Sequence, residues 1–234
     1  MYVFSDKGVD SMAYEKLLNE IYAVVSLKYL WPEYKPFFVK SESPDWINDT
    51  MDFGLEISQA LLPEDGQTEN FIENYLGCLK EDLPESAIER YGDRLHFYNG
   101  RFWAVLPNPE IEQDYVEKAL YRFHKKLEKL NTNYKKYNRN GLYLYLHPEA
   151  GDEEMVDVEA LFRRMKEEQK DMQVQFDWVF LNCVKSIYVC DFVQERLEKI
   201  VLPKNAENFL NTETEYLRYT FDWDDGVILE DEKV

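Results

Sequence analysis

The stretch Glu42-Ser43-Pro44-Asp45-Trp46, followed after a short gap by Asp52-Phe53-Gly54-Leu55-Glu56-Ile57-Ser58, decides how this chain is read. A proline pushes the residue before it out of the helical region, so a short strand over residues 37–40 should break at Ser43-Pro44. Residues 52–58 read as the next strand. Side chains alternate along a strand, which sends Leu55 and Ile57 to one side of a sheet and Glu56 to the other. Asp45 then stands just past one strand end, Glu56 lies inside a neighbouring strand, and a short hairpin-like connection lets them meet. Two carboxylates plus a backbone carbonyl are a ligand set that Mg²⁺ or Mn²⁺ accepts while keeping several waters. An ion of this kind polarises a phosphodiester and acidifies a bound water. The plainer alternative has Asp45 closing a turn after Pro44 and Glu56 facing solvent.

Upstream of this stretch, Asp10 or Ser11 is placed to cap a helix running to about Tyr29, with Leu17, Leu18, Ile21, Val24 and Val25 on one face. Pro32 and Pro36 stop it. Downstream, Pro63-Glu64-Asp65-Gly66 reads as a turn, with helices expected over residues 70–79 and 85–91. Asn99-Gly100 separates two aromatic-rich runs and calls for a tight hairpin. From Pro109 a long helix is expected, because Val116, Leu120, Phe123, Leu127, Leu130, Tyr134 and Tyr137 alternate at spacings of four and three. Gly141 ends that region and residues 142–146 form a buried strand, so the helix returns the chain to the sheet. A helix over 158–169, an antiparallel strand pair over 176–182 and 186–191, and an edge strand over 216–223 complete the reading. The fold class is α/β, a mixed central sheet flanked by helices in a single domain over 1–234. A C-terminal helix and an acidic strand or tail occupy about 193–234.

Composition narrows the function classes. With 234 residues, 45% of them hydrophobic, and 17 tyrosines and 14 phenylalanines, the chain has the means to bury one sizeable core. No apolar run approaches the length of a membrane-spanning helix, and residues 1–10 lack the apolar core of a secretory signal. Cys78, Cys183 and Cys190 show no CxxC spacing, which favours reduced thiols and a cytoplasmic location over a disulfide frame or a zinc site. A net charge of −19 opposes nucleic-acid binding unless positive charge is concentrated somewhere. It is concentrated: from Lys118 to Arg139 there are eight bases and one acid. Such a run is either a solvated helix face or a phosphate-facing one. Acids cluster instead at 149–159 and 222–232.

Other chemistries find little footing. His96, His124 and His147 have no HxxxH or HxH spacing, and GxxxxGK[ST], GxGxxG and GxSxG are all missing. Trp46, Trp103, Trp178 and Trp223 have faces suited to base stacking, although aromatics in so aromatic a chain mostly fill the core.

Pro44-Asp45 paired with Gly54-Leu55-Glu56-Ile57-Ser58 resembles the PD-(D/E)XK nuclease superfamily, especially bacterial members with a Gly-Ile-Glu-Val-Thr-like motif strand. The order of the leading acidic helix, two motif strands, Lys-rich helix and apolar strand is also similar, over about residues 10–192. The resemblance implies a restriction-endonuclease-like fold and a Mg²⁺- or Mn²⁺-dependent nuclease, with Asp45 and Glu56 as metal ligands and the Ile57 carbonyl as a further one. One position departs from the pattern: Ser58 stands where the family's lysine is expected, and a hydroxyl supplies no positive charge. Lys126 and Lys129 border the apolar stripe of the long helix and are the candidate replacements. Arg122, Lys125, Lys126, Lys129 and Lys136 form the candidate nucleic-acid-binding row. Glu15 and Glu20 on the first helix are candidates for the extra acid some members use. Two further expectations stand beside the nuclease: a catalytically inactive binding module on the same scaffold, and an acidic interaction protein of antitoxin, immunity or DNA-mimic type with a basic partner.

Overall fold

The computed structural model describes residues 11–30, 39–106, 115–146, 156–202, 210–214, 221–222 and 227–228. Helix α1 (Ser11–Leu30) leads into three strands, β1 (Val39–Lys40), β2 (Trp46–Asn48) and β3 (Phe53–Gln59). Helices α2 (Pro63–Tyr75) and α3 (Glu85–Tyr91) and strands β4 (Leu95–Tyr98) and β5 (Arg101–Val105) come next. Then follow α4 (Tyr115–Thr132), β6 (Arg139–Tyr145), α5 (Val158–Gln169), β7 (Trp178–Asn182), β8 (Ser186–Asp191), β9 (Arg196–Val201), β10 (Phe221–Asp222) and β11 (Val227–Ile228).

Among the described residues, nine strands form one mixed sheet in the order β10-β11-β1-β2-β3-β6-β7-β8-β9. Its centre is parallel. β3 pairs with β6 along seven positions, and β6 pairs with β7. The flanks are antiparallel, including the expected β7–β8 pair. Helix α4 lies between β3 and β6, and α5 between β6 and β7, as parallel neighbours require. The side chains of the sheet divide by face. On one face Leu55, Ile57, Tyr143, Tyr145 and Phe180 pack with Leu17, Ile21 and Val24 of α1. On the other, Leu142, Leu144, Val179 and Leu181 pack with Ala119, Phe123 and Leu127 of α4 and Leu161 and Met165 of α5.

Residues 63–106 form a satellite. Phe71, Leu83, Ala87, Tyr91, Leu95 and Phe102 make a separate apolar cluster under the β4–β5 hairpin. Asn99 and Gly100 turn that hairpin with φ of 50° and 75°, the left-handed pair that a two-residue turn needs.

Several expectations need correction. Residues 63–66 open α2 instead of forming a free turn, because Pro63 has no N–H to lose at the first helical position and Asp65 accepts from the Leu62 N–H at 2.8 Å. The same helix ends at Tyr75, short of residue 79. The long helix stops at Thr132, so Tyr134 and Tyr137 lie beyond it. β2 was hidden in the gap between the motif runs, its three residues being too few to show a period. Gly141 is inside β6. A Cβ there would stand 2.6 Å from Phe53 Cζ, so glycine lets the Phe53 ring cross β6. The C-terminal region begins as strand β9, and only residues 210–214 of it are described as helical. Pro32, Pro36, residues 37–38 of the first expected strand, the 109–114 start of the long helix, His147, the acid-rich 149–155, residues 216–220 of the edge strand, Trp223 and the tail lie outside the described residues. Phe221–Asp222 do occupy a sheet edge. No helix among the described residues is long and apolar enough to cross a membrane.

Candidate metal and phosphate site

The register of β3 sets the site. Glu56 lies opposite Leu142 of β6, whose side chain belongs to the α4 face, so Glu56 projects toward α4. Asp45 precedes Trp46, a residue fully buried on the α1 side, so alternation turns Asp45 away from α1 and toward Glu56. Strand β2 begins only at Trp46, opposite Leu55, and leaves the Ile57 N–H without a strand partner. Asp45 supplies one: its Oδ2 accepts from Ile57 N at 2.8 Å. That bond fixes the carboxylate against the strand carrying Glu56. A strand residue directs its N–H and C=O toward the same neighbour, which puts the Ile57 carbonyl on the edge facing Asp45.

Gly54 brings the two motif runs together. A Cβ on it would stand 2.7 Å from Pro44 Cγ and 2.9 Å from Tyr137 Cδ2, so the bare backbone admits both rings. Pro44, and with it Asp45, can approach β3 because residue 54 has no side chain.

Lys126, on the inner border of α4, reaches Glu56 Oε1 as a hydrogen-bonded ion pair. The pair is secluded, with side-chain exposures of 14% for Lys126 and 5% for Glu56. Glu56 Oε2 is buried and takes no hydrogen bond among the described residues. Burial raises the Glu56 pKa above its ordinary 4.5, Lys126 pulls it back, and the Asp45 charge adds to the rise. Tyr134 is the other polar neighbour. Its phenol is held protonated, well above its usual range, by burial first and by the Glu56 charge second. Among the described residues no three His, Cys, Asp or Glu side chains gather as a metal cage. An ion here would be held by two carboxylates and waters, as Mg²⁺ and Mn²⁺ tolerate.

The candidates from sequence divide accordingly. Asp45, Glu56, Ile57 and Lys126 come together. Lys129 is exposed and makes no ion pair with either acid among the described residues. Glu20 is buried in α1 and pairs with Lys40 at 2.5 Å; the same ammonium donates to the Asp45 carbonyl at 3.4 Å, so Lys40 links Glu20 to the Asp45 backbone. Glu15 lies in α1, and nothing is described of its side chain. Ser58 Oγ lies 3.5 Å from the Gln59 carbonyl. In the basic run from Lys118 to Arg139, Arg122 donates to the Leu61 carbonyl at 2.7 Å, Lys125 pairs with Glu128 and Lys118 with Asp65. Lys129, Lys135 and Lys136 are exposed. Of the tryptophans, Trp46 is fully buried, Trp178 packs against the core and Trp103 is 60% exposed.

Tyr134 and Gly54 were not recognised as parts of the site from sequence. Tyr134 fits the apolar stripe, which assigns it to the core. The signal against this was Asn131-Thr132-Asn133, three poor helix formers just before it.

No family model, curated protein or solved structure matches this chain.

Proposed function

We propose that the chain is a metal-dependent nuclease-like hydrolase of nucleic-acid phosphodiester bonds, with a restriction-endonuclease-like core of α1, β1–β3, α4 and β6. The observation that carries this reading is the meeting of the Lys126 ammonium with Glu56 beside Asp45, which restores the positive charge that Ser58 withholds. Mg²⁺ or Mn²⁺ bound here would supply a Lewis acid and an acidified water. Asp45, oriented by the Ile57 N–H, and Glu56 would be its side-chain ligands, with the Ile57 carbonyl on the adjacent strand edge. The buried, unfilled Oε2 of Glu56 fits that role. Lys126 would stabilise the negative charge that develops on the phosphate. Tyr134 would hold the Glu56 carboxylate in place. Lys129, Lys135 and Lys136 would draw DNA or RNA toward the end of α4, while the acidic remainder repels it elsewhere. The cytoplasm is a compartment that offers both the ion and the polyanion. The test is cleavage of plasmid and single-stranded substrates with Mg²⁺ or Mn²⁺. Wild type should cut, and Asp45→Ala and Glu56→Ala should not; activity that survives both substitutions overturns the assignment.

A second reading keeps the scaffold and removes the chemistry. It is favoured by the protein partners both acids already hold, Asp45 as a stand-in for a missing ladder partner and Glu56 as half of a buried ion pair. It predicts neither cleavage nor Mn²⁺ binding.

A further inference from the structure

We propose that Lys126 is the resident counter-ion of Glu56 and that a divalent cation held by Glu56 and Asp45 displaces it, so that the site takes metal first and phosphate second. The inference rests on the hydrolase reading and adds an order of binding to it.

Three observations carry it. The Glu56–Lys126 pair is almost wholly out of water, where a carboxylate without a cation is strongly disfavoured. Asp45 is tied through its Oδ2 to the backbone of Ile57, the residue after Glu56, so a second carboxylate is fixed close enough for its charge to act on Glu56. Glu56 Oε2 is a buried acceptor that the ammonium leaves unfilled. A dication neutralises both carboxylates at once. Lys126 then loses its attraction to Glu56 and is repelled by the new charge at short range. Its flexible four-carbon stem lets the ammonium swing outward without moving α4. A phosphate oxygen arriving at the ion offers the released ammonium its next partner. Before metal binds, Lys126 is engaged and a phosphate would meet two carboxylates.

Calorimetric titration of Mn²⁺ into wild type, Lys126→Met and Lys126→Gln, followed by inorganic phosphate into each Mn²⁺-loaded protein, tests the exchange. Both variants should bind Mn²⁺ on the order of tenfold more tightly than wild type, the gain from removing about 1.4 kcal/mol of competition by the ammonium. Both should also bind phosphate more weakly. These opposite signs separate displacement from loss of structure, which weakens both affinities. Unchanged Mn²⁺ affinity in the variants overturns the exchange and leaves the hydrolase reading standing. Weakened Mn²⁺ binding overturns it too, and makes Lys126 a support of the site. If none of the three proteins binds Mn²⁺ beyond the level of Asp45→Asn, the exchange and the hydrolase reading fall together.

Discussion

Lys126 and Glu56 are each secluded enough that neither tolerates loss of the other. Removing one partner of a buried pair leaves an uncompensated charge, at a cost of about 3 kcal/mol or more. Lys126→Met should therefore lower the metal-free unfolding free energy by about 3 kcal/mol in urea titration, and Lys126→Met with Glu56→Met should recover most of that. A double variant as unstable as the single would show that the loss comes from packing. Acidity gives a second check. Because Glu56 has a raised pKa, the folded protein holds that proton more tightly than the unfolded chain does. This group's contribution to stability is thus fullest below its unfolded value and is lost as pH rises through the folded one. From the ordinary carboxylate range upward, the urea midpoint of metal-free wild type should fall relative to that of Glu56→Gln. A relative rise would contradict the burial argument. At this scale the sequence singled out the acids and Lys126, side chains that the fold brings together, because strand alternation and the border of an apolar stripe are local facts. It could not separate Lys126 from Lys129, since which border lysine faces β3 depends on how α4 docks.

Elements show how the pair is held. Gly54→Ala would force a Cβ to within 3 Å of both Pro44 and Tyr137. Overpacking of this kind costs about 1–3 kcal/mol, and here it pushes the Asp45 run away from β3. The variant should lose about that much stability in chemical denaturation, and bind Mn²⁺ more weakly than the stability loss alone explains. Unchanged metal affinity would mean that the β2–β3 approach does not set the site. Helices α3 and α5 and strand β8 were readable to the residue because their period and end signals coincide. β2, with three residues, has no period to read, and the start of α2 reads as a free turn because Pro63-Glu64-Asp65-Gly66 serves either as a turn or as a first helical turn. β9 has partly buried Leu197 and Ile200 three residues apart among charges at an edge, which shows no period of two and does not announce a strand.

For the whole molecule, the charge distribution visible in the sequence was partly rewritten by folding. Lys118, Lys125, Lys126 and Arg139 pair with acids of the same chain, and Arg122 holds a carbonyl, so fewer bases face outward than the run suggested. Under the proposed function, binding of single-stranded DNA should then depend only modestly on salt. With Lys129, Lys135 and Lys136 as contacts, log K against log salt should slope by about −2, from roughly 0.7 per neutralised phosphate. A slope several times steeper would mean that the internal pairs open to receive the strand. A mixed sheet covered by helices follows from alternating strands and helices, whereas the order of its strands and the separate cluster at 63–106 depend on contacts that no local pattern states. All of this serves one claim, that Asp45 and Glu56 together hold a divalent cation. Calorimetric titration of Mn²⁺ into wild type and Asp45→Asn tests it most directly. A saturable site near 1:1 in wild type that is lost in Asp45→Asn is predicted; the same weak, non-saturating heats in both would contradict it.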